Sequence, residues 1–87
     1  MLIKINLVRI SDDFAKKISF LETYVNVDYI VNINECDMRL IESVSGLQEY
    51  IVEEGLAPSD FIMIELINDR AYFALEKVRK ILKKMNH

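Results

Sequence analysis

The amino-acid sequence predicts an α+β fold: a small curved antiparallel sheet of four or five strands with a C-terminal amphipathic helix packed on it. Three observations carry that expectation. Twelve Ile and seven Val among 87 residues favour strands over an all-helical bundle. Short apolar stretches, some alternating with period two, are separated by Asn, Asp and Ser clusters. The last dozen residues switch to a helical period. A chain of this length buries only about 60% of its unfolded surface, so residues 1–87 form a single domain with one small interior.

Taken in order, residues 2–10 (LIKINLVRI) alternate loosely, with Ile3, Ile5 and Leu7 on one face and Lys4 and Asn6 on the other. Ser11-Asp12-Asp13 signals a turn or a helix cap, so either a short helix covers 12–17 or the chain turns directly into the next strand. Residues 18–25 and 29–35 supply two further strands, joined by the turn-like Asn26-Val27-Asp28. In the later strand, Tyr29, Val31 and Ile33 would share one face and Ile30, Asn32 and Asn34 the other.

Residues 36–59 admit two structures. Leu40, Ile41, Val44, Leu47 and Ile51 fit a helical stripe. Ser45 with Gln48 makes a capping-box pattern, and Gly55 sits where a helix-ending glycine would, with Pro58 beyond it. Against this, Ser43–Gly46 could turn a hairpin, and Glu53 and Glu54 oppose the macrodipole at a helix C-terminus. A helix over 46–54 has the better of the two cases.

The final third is clearer. Asp60–Ile67 is a nearly continuous apolar strand, which predicts cover on both faces. Asn68-Asp69 makes a tight two-residue hairpin connection, since both residues tolerate positive φ. Arg70–Ala74 returns as a strand. A helix then runs from near Leu75 to about Met85, with Leu75, Val78, Ile81, Leu82 and Met85 as its apolar stripe and Glu76 and Lys80 as an i,i+4 pair.

Charge is unevenly spread. Residues 1–76 carry fourteen acids and six bases, whereas 77–87 carry Lys77, Arg79, Lys80, Lys83 and Lys84 and no acid. An acidic body argues against a nucleic-acid partner, and the basic tail is a solvated helix face or a dock for an acidic surface. The N-terminus does not form a signal-peptide core and no apolar run approaches the ~20 residues of a membrane span. With its lone Cys36 held reduced, the chain is expected to be cytoplasmic.

Little in the sequence assembles into a reactive site. One Cys and one His give no metal-ligand spacing, and Glu35-Cys36-Asp37 alternate across a strand. A Cys36–His87 dyad would need the last residue folded back over the sheet. Asp12-Asp13 and Glu53-Glu54 are adjacent surface pairs rather than carboxylates set across a cleft. Two glycines, Gly46 and Gly55, cannot make a phosphate-binding loop. Tyr24, Tyr29, Tyr50 and Tyr72 could form a stacking platform, although strand aromatics usually serve core or interface. No enzyme activity, cofactor or metal is expected.

Two stretches carry a resemblance. TYVNVDYIVNINE, with Asn26, Val27, Asp28, Ile30 and Ile33, and FIMIELINDRAYFALEKVRKIL, with Ile64, Leu66, Asn68, Tyr72, Ala74, Glu76 and Ile81, resemble segments of FlbD-type small flagellar proteins. They cover 35 of the 87 residues. Asp69 stands where that family usually has Gly, and residues 36–59 form a long insertion. The resemblance implies a small non-enzymatic protein with an interaction role.

Composition points the same way. With 52% apolar residues, the chain holds more apolar surface than so small an interior hides. This predicts a non-catalytic interaction or regulatory module that presents an exposed sheet edge or apolar patch to a partner protein or a second copy, most simply as a C2 dimer. The alternative is a small oligomeric ligand-binding protein, of the sequestering or inhibitor kind, with its site between subunits. Arg70 or the tail lysines Lys77, Lys80 and Lys84 would then hold an anionic, nucleotide-like molecule while Tyr72 stacks on its ring.

Overall fold

The computed structural model describes residues 1–12 and 17–86. Its elements are β1 (Leu2–Ile10), β2 (Ile18–Asn26), β3 (Ile30–Glu35), α1 (Met38–Glu42), α2 (Leu47–Glu54), β4 (Phe61–Leu66), β5 (Ala71–Leu75) and α3 (Val78–Met85). All pairings are antiparallel, in the order β2-β1-β5-β4-β3, so β2 and β3 are the two edges of an open sheet. The α+β fold expected from the sequence is the one observed.

The sheet must curl. A single 3-10 turn, Val27–Tyr29, carries the chain from one edge strand to the other. Four residue steps reach at most about 14 Å, whereas four strand spacings in a flat sheet span about 19 Å. Val27 N–H donates to Met1 O and Ile67 N–H donates to Tyr29 O, both at 2.9 Å, and these bonds fasten the turn to β1 and to the end of β4. Asn26 Oδ1 accepts the Asp28 N–H at 3.0 Å and caps it. Val27 and Ile30 pack into the α3-side core, so the curl closes toward that face.

Alternation along β4 splits the interior in two. Ile62 and Ile64 join Ile3, Ile5, Ala74 and Ile81 beneath α3. Phe61 turns the other way, onto Cys36, Ile41, Leu47 and Ile51 beneath α1 and α2. Both faces of β4 are therefore covered, as its apolar run requires. Each fully buried Ile, Leu or Phe contributes about 1.5–3 kcal/mol of transfer free energy, and β4 alone supplies three of them.

Several local expectations are corrected. The 36–59 segment is helical and not a hairpin, but it forms two helices. Asp37 Oδ1 accepts the Leu40 N–H at 2.9 Å and starts α1. The residue before α2 is Gly46, at φ 82°, with no side-chain cap, so Ser45 and Gln48 do not form the capping box. Gly55 does end α2, left-handed at φ 67°, with its N–H returned to the last turn. In β3 a bulge between Ile30 and Asn32 breaks the alternation, so Ile30 and Ile33 face the same core.

The β4–β5 connection is a three-residue loop rather than a two-residue one. Asp69 N–H donates to Leu66 O at 3.0 Å, Leu66 N–H donates to Arg70 O at 2.8 Å, and only Asp69 is left-handed, at φ 65°. This is a type I turn followed by a bulge residue. Leu75 belongs to β5, paired with Phe61, so α3 begins only at Val78. Val78, Ile81 and Met85 face the sheet, whereas Leu82 is largely exposed. Glu76 precedes the helix and pairs with Lys84, at 3.4 Å, instead of Lys80.

The turn or short helix expected over 12–17 lies mostly outside the described residues. Its flanks are tied, with Ser11 N–H donating to Lys17 O at 2.9 Å and Lys17 N–H to Ser11 Oγ at 2.8 Å.

Candidate functional site

The two edges of the sheet are unlike. Ser11–Lys17 and Met1–Val27 bound the β1–β2 ladder with hydrogen-bonded odd-numbered pairs. Hydrogen-bonded and open pairs alternate in an antiparallel ladder, so odd residues of β2 turn their N–H and C=O toward β1. The even residues Ile18, Phe20, Glu22, Tyr24 and Asn26 therefore direct theirs outward. That outer edge runs nine residues with no proline and no bulge. Its one charged side chain, Glu22, lies 3.9 Å from Lys4 on the neighbouring strand. Exposed Leu21 and Tyr24 project from its two faces.

β3, in contrast, carries devices that blunt an edge. It is only six residues long, Val31 bulges out, and Asn32, Asn34 and Glu35 follow.

Behind β2, on the face toward which the sheet curls, lies an open cavity of about 500 Å³. Ile5 and Ile64 are buried beside it, Tyr29 and Tyr72 stand around it, and Tyr24 borders it along β2. Thr23 and Asn26 are its other polar lining residues, and no described lining residue is charged. The fourth tyrosine is elsewhere: Tyr50 meets Phe20 edge to face, ring centres 5.5 Å apart, beside α2.

Of the five candidate binding residues, Arg70, Tyr72, Lys77, Lys80 and Lys84, only Tyr72 lines this cavity. Arg70 is exposed in the β4–β5 loop, its N–H held by Asn68 Oδ1 at 3.1 Å. Lys77 precedes α3 and sits 3.6 Å from Asp60. Lys84 reaches back to donate to Lys4 O at 3.0 Å. Lys80 is exposed and makes no ion pair among the described residues. These five residues thus do not gather into one site. Tyr24, Tyr29, Thr23 and Asn26 come together through the 3-10 turn, and the two edges are defined by strand order. Only the tyrosines were visible beforehand, as a set of four.

Cys36 is buried against Ile41 and Phe61. Burial, and then the carboxylates of Asp37 and Glu35, push its thiol up to about 11, which suppresses the thiolate. His87, the other half of the conceivable dyad, lies outside the described residues. Among the described residues, no three His, Cys, Asp or Glu side chains cluster as a metal site. No described helix is long and apolar enough to cross a membrane.

No family model, curated protein or solved structure matches this chain.

Proposed function

We propose that the chain is a non-catalytic protein-interaction module that works by strand addition at the β2 edge, and that its partner there is a second copy. The observation that carries this is the contrast between edges: β3 is short, bulged and polar, whereas β2 is long and unguarded. An unprotected edge offers a row of unpaired N–H and C=O groups to another strand.

The side chains of β2 suit self-pairing about a two-fold axis at Thr23. In that register Glu22 lies opposite Tyr24 of the second copy and Leu21 opposite Val25. No like charges face each other, and the outward groups of Glu22 and Tyr24 meet as a hydrogen-bonded pair. Cross-strand pairs of this kind contribute about 0.2–1 kcal/mol each. The interaction role implied by the FlbD-type resemblance accords with this reading. The anionic-ligand alternative has less support, because Arg70 and the tail lysines are dispersed and two of the three lysines are already paired.

Proline scanning with light scattering tests the proposal. The parent should have twice the 10.2 kDa chain mass at micromolar concentration. Glu22→Pro removes an outward N–H, so it should give single chains that still melt cooperatively. Thr23→Pro removes an inward N–H and should damage the fold itself. A parent of single-chain mass would refute the assignment.

A further inference from the structure

We infer that the cavity behind β2 is a binding site for an uncharged aromatic small molecule. Its size, about 500 Å³, is within the usual range for such ligands. Its chemistry narrows the class. Leu2, Leu7 and Leu66 provide apolar surface over the buried Ile5 and Ile64, and no described residue of the lining carries a charge. An anion or cation entering would shed its hydration without gaining a counter-charge, a heavy penalty for a desolvated ion. The cavity shares Thr23, Tyr24 and Val25 with the strand used for addition, but its far wall, Ile64, Leu66 and Tyr72, belongs to β4 and β5 and carries the inference independently.

Two phenol rings decide between an aliphatic and an aromatic occupant. Tyr29 and Tyr72 come from the 3-10 turn and β5, and so approach the cavity from two parts of the chain, while Tyr24 borders it along the β2 edge. Aromatic rings favour offset or edge-to-face contact with another ring, each such contact strengthening binding by up to about tenfold beyond area burial. Tyr29 is 53% exposed. A ligand that covered its ring would remove apolar surface from water. Asn26 spends its carbonyl oxygen on the Asp28 N–H, which leaves its NH₂ to donate to a ligand acceptor. Thr23 can donate or accept beside it. The geometry therefore fits a planar neutral ring system with one or two hydrogen-bonding atoms at its rim.

Two fluorophores that share an aryl-naphthylamine core test the class on the full chain. N-phenyl-1-naphthylamine is neutral, and 8-anilinonaphthalene-1-sulfonate adds a fixed negative charge. The neutral probe should brighten and saturate at one per chain, and the sulfonate should bind at least about tenfold more weakly, for want of a counter-charge. Tyr29→Ala removes an exposed ring that does not hold the core and should weaken the neutral probe by about tenfold, with melting unchanged. Leu66→Trp should fill the space and abolish binding. If that variant fails to fold, Tyr29→Ala alone decides. Equal affinity for the two probes, no brightening, or an undiminished Tyr29→Ala would overturn the inference.

Discussion

Cys36 illustrates how a single side chain ties the fold to pH. Its thiol is raised from an ordinary 9.0 to about 11 by burial, with Asp37 and Glu35 adding to the effect. The folded chain therefore keeps this proton to higher pH than the unfolded chain does. That contribution to stability is complete below pH 9 and is lost as pH rises toward 11. Urea midpoints should decline across this window, and those of Cys36→Ala should decline less. Rapid alkylation of the native thiol at pH 8 would contradict the burial. Two left-handed residues give a second comparison. Gly55 has open space where a Cβ would go, so Gly55→Ala costs only backbone strain, about 1 kcal/mol. Asp69→Gly relieves similar strain at φ 65° and should stabilise by less than about 1 kcal/mol, because glycine also gains freedom when unfolded. Urea unfolding of the two variants should thus move in opposite directions. Gly55 announced its role in the sequence. Asp69 did not, since Asn-Asp is compatible with two-residue and three-residue loops alike.

Among the elements, α3 shows why a charge pattern does not give charge function. Lys77, Lys80 and Lys84 look equivalent along the sequence, yet they have different work. Lys84 meets Glu76, whose side chain is only 10% exposed, and also donates to β1 at Lys4 O. Lys84→Met should cost about 1–2 kcal/mol, mostly by leaving the Glu76 carboxylate without its partner; Lys84 is itself 39% exposed, which keeps the loss below that of a fully buried pair. Lys80→Met should fall within about 0.5 kcal/mol of the parent. Thermal melts of the two variants would test the ranking, and equal losses would sink it. β4 was legible because an unbroken apolar run has to be covered twice. The start of α3 was not, because Ala71–Leu75 is uniformly apolar and only pairing with Phe61 assigns Leu75 to a strand. The start of α2 was legible to within a residue, but its cap was not: Ser45 and Gln48 have capping-box spacing, and Gly46 precedes the helix instead.

At the scale of the whole molecule, the sequence could indicate that strands exist but not which of them lie outermost. Edge position follows from β1 pairing with β5, a contact between distant parts of the chain that leaves no local pattern. The cavity was hidden for the same reason, as its walls come from both ends of the sequence. Self-association through β2 would depend on backbone hydrogen bonds and neutral side chains. Its strength should therefore change little between low and high salt. Arg79→Glu/Lys80→Glu/Lys83→Glu should keep the mass of the parent, and a steep salt dependence would instead indicate docking through the basic helix.

The one pairing that joins β1 to β5, Leu7 with Ala74, links residues 67 positions apart, whereas β1 and β2 pair along nine. The protein is in effect two ladders hung on a single rung, with α3 bolted across them by Lys84. Closing that rung requires the longest loop of any strand pairing, so it should form late and open early. In hydrogen exchange, the amides on either side of Leu7 and Ala74 should lose protection before those inside either ladder. Ile5 and Val25 stand on one side of this seam and Ile64 and Tyr72 on the other, all facing the same cavity. Whatever seats itself there touches both halves, and would act as a clasp.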